Sequence, residues 1–288
     1  MPNYSSDFTI TTLSSSVTQY GASSQAPFRV GPFGPMGMRN TCKPYYSSQN
    51  QDLYRVEDCL GGAPYVDQWA QFDGIPAHDW VTYTGNAGLY PSTQYTISTW
   101  VWQDSHDPGT YFEHRDQVGS SNTNSAYIRC EILGGGKIKF THRNSASSFS
   151  VRTTSDSPLS VNSQWYNCVF TFDAGTIKVY VNGVEKTHTG SSIATSARNV
   201  TGSVISTINA NPSFASVVSG RYKEFSYWTG VVATPAQVLE IYNSGTPPDL
   251  TSLSSLASPI FWSQMRGTWD LSIGAGVPAV SGSPSFGP

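Results

Sequence analysis

Charge is scarce in this 288-residue chain: Lys and Arg number 16, Asp and Glu 19, and the formal net charge is −3. No stretch is rich in Lys or Arg. Nucleic-acid binding through phosphate neutralisation is therefore excluded as a main role, and an anionic membrane surface is an equally poor partner. Long apolar runs are also lacking, so no segment is expected to cross a bilayer as a helix. The start, Met1-Pro-Asn-Tyr-Ser-Ser-Asp-Phe8, has no cationic stretch followed by an apolar one. The expectation is a chain made without a signal peptide and folded in the cytoplasm where it is synthesised. Cysteine is rare, and Cys42, Cys59, Cys130 and Cys168 form no Cys-x-x-Cys pair, which argues against a zinc site. Cys130 and Cys168 occupy apolar-facing positions in strand-like runs and read as small buried thiols. Cys42 and Cys59 bracket an irregular segment and can pair as a disulfide only in an oxidising compartment.

Turn formers and aromatics are plentiful instead: Gly 26, Pro 18 and 13% aromatic residues. With so few charges, this mix suits a β-sandwich with long loops and not a helical protein. Residues 1–62 are dominated by Ser, Thr, Pro and Gly, as in Gly31-Pro-Phe-Gly-Pro-Met-Gly-Met38. They read as an extended arm that gains order by packing elsewhere, with Phe28, Phe33, Met36 and Met38 as its docking surface.

Strand signals fill residues 63–250. Tyr95-Thr-Ile-Ser-Thr-Trp-Val-Trp102 alternates, and Tyr127–Leu133 puts Ile128, Cys130 and Ile132 on one face. Gly134–Gly136 then turns the chain into Lys137–His142, a hairpin. A second hairpin runs through Trp165–Phe172, turns at Asp173-Ala-Gly175 and returns through Thr176–Val181. Tyr166, Cys168, Phe170 and Phe172 share one face, and Asn182-Gly183 supplies a further tight type I′ turn. One short helix is predicted after Thr234. Thr234 caps it, Pro235 opens it, Gln237 completes a capping box and Gly245 closes it. Its expected apolar stripe is Val238, Leu239, Ile241 and Tyr242. Residues 251–288 read as a return strand and a tail. No internal repeat points to a propeller or solenoid.

Four pieces in order carry a resemblance. They are Gln71-Phe-Asp-Gly-Ile-Pro-Ala-His-Asp-Trp-Val81, Tyr95–Trp102, Trp165–Asp173 followed by Lys178-Val-Tyr-Val-Asn-Gly183, and Phe225-Ser-Tyr-Trp228 with the 234–243 helix. Together the chain resembles laminin-G-like members of the concanavalin-A-like lectin/glucanase superfamily. One departure is the acidic residue before the Phe225 strand, replaced by Tyr222-Lys223, with Glu224 next door. The resemblance implies an all-β, antiparallel jelly-roll β-sandwich with one short helix and the extended N-terminal arm. Residues 241–250 with Ile260-Phe-Trp262 are similar to the end of such domains in bacteriophage and viral structural proteins. That likeness implies a virion surface protein, made in host cytoplasm, decorating a capsid or forming part of a tail or fibre. Its expected partners are a capsid or tail protein through the arm, cell-surface glycans and further copies of itself, with no nucleic acid and no membrane insertion.

An enzyme is not expected. Retaining glycosidase chemistry needs two carboxylates about 5–5.5 Å apart, which residues two or four apart on a strand supply. Glu113-His-Arg-Asp116 has the wrong spacing for one strand face, and Glu131 and Glu224 each stand alone. No G-x-S-x-G elbow exists. Sugar binding in such sandwiches uses loop aromatics for stacking, which makes Trp102, His106, Tyr111 and Asn124 the candidate ligand residues. Asp104, Asp107, Glu113 and Asp116 could offer oxygen to a hard cation such as Ca²⁺, and Asp73 and Asp79 do so more weakly. The alternatives are a free-standing carbohydrate-binding module or adhesin, and a glycoside hydrolase.

Overall fold

A computed structural model describes residues 68–73, 79–84, 93–104, 108–116, 127–144, 148–191, 194, 204–210, 218–274 and 277–287, with two short strands at 44–46 and 52–54. The chain divides into two compact units, Met1–Val66 and Asp67–Pro288. In the first, β1 (Pro44–Tyr46) and β2 (Asp52–Tyr54) pair antiparallel, with Tyr45 opposite Leu53. The segment expected as an extended arm thus contains a strand pair. Cys42, Cys59 and the expected docking residues Phe28, Phe33, Met36 and Met38 lie outside the described residues.

The second unit is a sandwich of two antiparallel sheets. The first sheet contains β12 (Val184–Glu185), β11 (Thr176–Val181), β10 (Trp165–Asp173), β5 (Gln94–Gln103), β15 (Gly220–Thr229), β3 (Trp69–Phe72) and β18 (Ser285–Gly287), in that order. β16 (Phe261–Ser263) also pairs with β15. The second sheet runs β13 (His188–Thr189), β9 (Phe149–Thr154), β8 (Lys137–Arg143), β7 (Tyr127–Leu133), β6 (Gly109–Asp116), β14 (Val204–Ile208), β4 (Trp80–Thr84) and β17 (Val277–Ser281). Residues expected as a return strand and tail therefore supply three strands, spread over both sheets.

Alternation builds the core. Tyr166, Cys168, Phe170 and Phe172 point inward from β10 and meet Ile128, Cys130, Ile138 and Phe140 of the second sheet in one buried cluster. Phe140 stacks on Phe170 with centroids 4.7 Å apart, and His142 on Phe172 at 3.9 Å. His142 Nδ1 also lies 2.9 Å from the Tyr95 hydroxyl. The β10–β11 turn is closed by Ala174 and Gly175, both at positive φ, and the β11–β12 turn by Asn182 and Gly183, also at positive φ. Those are the backbone signs of type I′ turns.

β10 is buried on both faces, unlike a simple half-buried strand. Its outer residue Val169 is covered, with Tyr180 and Trp228, by Val238 and Ile241 of helix α1 (Pro235–Tyr242) and by Leu250, Leu256 and Trp262. The capping box of α1 forms as expected: Thr234 N donates to Gln237 Oε1 at 2.8 Å, and Gln237 N donates to Thr234 Oγ1 at 3.4 Å. The helix stops at Asn243, which takes the left-handed cap conformation, two residues before the expected Gly245. Leu239 of the predicted stripe is 56% exposed.

Candidate functional site

The outer face of the first sheet has a second half, which α1 covers only at Trp100, stacked on Tyr242 at 6.0 Å. Alternation along β5 puts Trp100 and Trp102 on that face, and alternation along β15 adds Arg221 and Lys223. Register aligns them: Trp102 pairs with Trp165 on one side and Arg221 on the other, and Trp100 pairs with Lys223. Gln71 pairs with Arg221, which brings Trp69 and Gln71 of β3 onto the same surface. The rings lean together. Trp165 lies 5.7 Å from Trp102 and 6.1 Å from Trp69, both edge to face. The Arg221 guanidinium lies over Trp69 at 5.1 Å and over Trp102 at 4.7 Å. Lys223 Nζ lies 4.0 Å from the Trp165 ring centre and 5.8 Å from that of Trp100. Cations over indole faces attract the ring quadrupole, which fixes both partners in place.

Polar groups complete the rim. Asp104 accepts from Trp102 Nε1 at 3.1 Å and from Gln71 Nε2 at 3.3 Å, and Gln71 Oε1 accepts from Arg221 Nε at 3.0 Å. Trp69, Gln71, Trp102, Trp165 and Arg221 are half-buried, Asp104 is exposed, and Trp100 and Lys223 are buried. The surface therefore offers flat apolar rings beside a cation, an amide and a carboxylate. Such a set can stack a sugar ring and bond its hydroxyls.

A β-bulge divides this half of the sheet from the sealed half. The β5–β15 register shifts between Lys223 and Ser226, and Glu224 there has φ 58°. A non-glycine residue in that conformation is unusual and marks a built feature. The buried Glu224 carboxylate accepts from Trp262 Nε1 at 2.7 Å and from Arg266 Nη2. Burial pushes its pKa up to about 7, against the opposing pull of Arg266.

The other expected site residues separate. Trp102 is at the centre of the tryptophan face. Tyr111 is a correction to the loop reading: it is the extra residue of a bulge in β6, where Thr110 faces Glu131 and Phe112 faces Cys130. The bulge turns its ring into the core, 1% exposed and 5.5 Å from Tyr222, so the ring is shut off from solvent. His106, Asn124 and Asp107 lie outside the described residues, as does the side chain of Asp116. Asp104 belongs to the tryptophan face of the first sheet, whereas Glu113 lies on β6 of the second. Glu113 is buried and ion-paired to Arg129, with Arg115 at 3.8 Å. Burial raises its pKa, and both guanidinium groups oppose the shift. Neither carboxylate fits a shared cation, and among the described residues no group of three or more His, Cys, Asp or Glu is placed to hold a metal. Asp79 serves the fold instead: its carboxylate accepts from the backbone of Asp73 at 2.9 Å and of Ser283 at 2.7 Å.

Trp69, Gln71, Trp165, Arg221 and Lys223 were missed as site residues. Part of the signal was present in the same-face pairs Trp100/Trp102 and Arg221/Lys223, each of which alternation puts on one face of its strand.

A family model described as the concanavalin A-like lectin/glucanases superfamily matches residues 76–239, more than half of the chain. None of the curated proteins compared with the chain matches it. Among solved structures, one similar fold is a Bacteroides ovatus protein provisionally classed as carbohydrate binding. It has TM-score 0.51 and 12% identity, over 84% of this chain and 64% of that one. A native heptameric SAP-like pentraxin from Limulus polyphemus has TM-score 0.46 and 16% identity, over 77% and 98%. The CBM40 of the Ruminococcus gnavus IT-sialidase, solved with α2,3 sialyllactose, has TM-score 0.48 and 13% identity, over 61% and 97%.

Proposed function

The chain belongs to the concanavalin A-like lectin/glucanase superfamily, and we propose that it is a non-enzymatic carbohydrate-binding protein whose ligand lies across the tryptophan face. The observation that carries this reading is the trio Trp69, Trp102 and Trp165, half-exposed and locked by Arg221 and Lys223. Large rings held rigid lose little freedom on binding, so they suit a weak, repetitive ligand. The carbohydrate-binding assignment of the Bacteroides ovatus relative agrees with it.

The carboxylates speak for binding without turnover. Glu113 pairs with Arg129, Glu131 with Lys139 at 2.8 Å, and Glu224 with Arg266. Each is held by a cation, and Glu113 and Glu131 share the Arg129 guanidinium between them. A glycan array on the full chain tests the assignment, with Trp102→Ala as the probe. Loss of a central aromatic anchor costs about 2 kcal/mol or more, roughly 30-fold in Kd. Unchanged glycan binding by Trp102→Ala refutes the site. Release of reducing ends, abolished by Glu113→Gln or Glu131→Gln, would favour a hydrolase.

We infer display on a virion surface, with residues 1–62 held by a capsid or tail protein. The composition of that segment and the phage-like sequence at 241–250 and 260–262 support it. Immunogold labelling of purified particles tests it, and a protein that binds glycans but never particles would instead be a free-standing module.

A further inference from the structure

Resting on the tryptophan face as a glycan site, we infer that its ligand is an acidic sugar, one carboxylate or sulfate of which is gripped by Arg221. The cations of the molecule differ in how they are engaged. Arg115 and Arg129 pair with Glu113, Arg266 with Glu224 and Lys139 with Glu131. Arg221 has a different set of partners: two indole rings, and Gln71 through Nε. Among the described residues no carboxylate pairs with it, and its Nη groups meet no acceptor. Its orientation is nevertheless fixed, by Trp69, Trp102 and Gln71. A fixed guanidinium fork with unused N–H groups matches a carboxylate or sulfate bidentately.

The surrounding charges give the ligand a direction. Lys223 adds positive charge from below the rings, although the buried Glu224 beside it draws on that charge. Asp104 is negative, and Gln71 stands between it and Arg221, bonded to both. Asp104 accepts from Trp102 and Gln71 and keeps lone pairs to spare for hydroxyl donors. An acid group beside Arg221 and hydroxyls beside Asp104, across stacked indoles, describe a hydroxylated ring bearing one anion.

Two probe pairs set an acidic sugar polymer against its uncharged counterpart: oligogalacturonate against its methyl ester, and dextran sulfate against dextran. The full chain is titrated with each by calorimetry. The acidic member of one pair should bind at least about tenfold tighter than its neutral partner, as expected for a charge-assisted bidentate contact. The pair that shows the preference separates carboxylate from sulfate. Arg221→Gln should erase the preference, costing acidic binding more than neutral binding, and Arg221→Lys should restore part of it. In the unaltered chain, added sodium chloride should weaken acidic binding and spare neutral binding, a readout that does not depend on a variant folding. A preference in neither pair, or one insensitive to salt, overturns the inference. If Trp102→Ala abolishes binding to acidic and neutral probes that bind equally, the face stands and the acid preference falls. If Trp102→Ala changes nothing, the face itself falls.

Discussion

Replacing Asp79 by Asn should loosen the end of the sandwich where both sheets are joined. Asp79 is 1% exposed, and its two carboxylate oxygens are divided between two backbone donors. One accepts from Asp73, just after β3, and the other from Ser283, between β17 and β18. The β3–β4 connection and the β17–β18 connection both cross between sheets here, so one side chain ties two crossings. An amide keeps the shape but only one acceptor, and its NH₂ then faces a backbone N–H. Leaving a buried donor unsatisfied costs about 1–3 kcal/mol, toward the upper end when the lost acceptor was charged. At about 2–4 °C per kcal/mol for a unit of this length, a loss of about 2–3 kcal/mol lowers Tm by about 4–12 °C in scanning calorimetry. Gly282 offers a cross-check. A Cβ there would sit 1.9 Å from Asp79 Oδ1, and its φ is +76°. Gly282→Ala should therefore couple with Asp79→Asn and not add to it. An unchanged Tm for Asp79→Asn, or strict additivity of the pair, would refute the role of this carboxylate.

Stability should fall as pH rises from about 5 to 7, because Glu224 is harder to ionise folded, with its pKa at about 7, than unfolded near 4.5. Urea titrations of Glu224→Gln should flatten that slope, the remainder belonging to Glu113, whose pKa burial also raises, and an unchanged slope would assign it to other groups. Phe170→Ala should cost about 3–5 kcal/mol, since its ring stacks between sheets on Phe140, and urea unfolding reads this directly. Cys130 and Cys168 should resist iodoacetamide in the native state, because burial raises both thiols, Cys168 to about 12. Mass-spectrometric labelling at either position without denaturant would contradict the core placement.

The sequence disclosed the parts of the fold that are local. Thr234, Pro235 and Gln237 signal a helix start within four residues, and Ala174-Gly175 and Asn182-Gly183 signal turns between strands already in phase. The helix end was less legible. Asn243 can adopt the left-handed conformation as well as Gly245 can, and α1 stops at the earlier one. The tryptophan face was legible only in fragments. Residues 69, 102, 165 and 221 meet because β3, β15, β5 and β10 lie side by side, an order that is not written along the chain. Tyr111 misled for a different reason: its segment reads as a polar loop in sequence, whereas it forms strand β6, whose bulge turns the ring inward.

The placement of β17 and β18 has a consequence for how the protein comes into being. These strands lie at 277–287, yet they pair with β4 and β3, which are among the earliest of the sandwich. During synthesis both sheets therefore wait, each with an unpaired flank, until nearly all of the described chain has left the ribosome. Such bare flanks invite pairing between nascent copies, and contacts spanning so much sequence form slowly. A chain stopped after residue 276 should accumulate as aggregate, and supplying residues 277–288 as a separate peptide should rescue part of it. Maturation of this sandwich is thus set by its last strands to arrive.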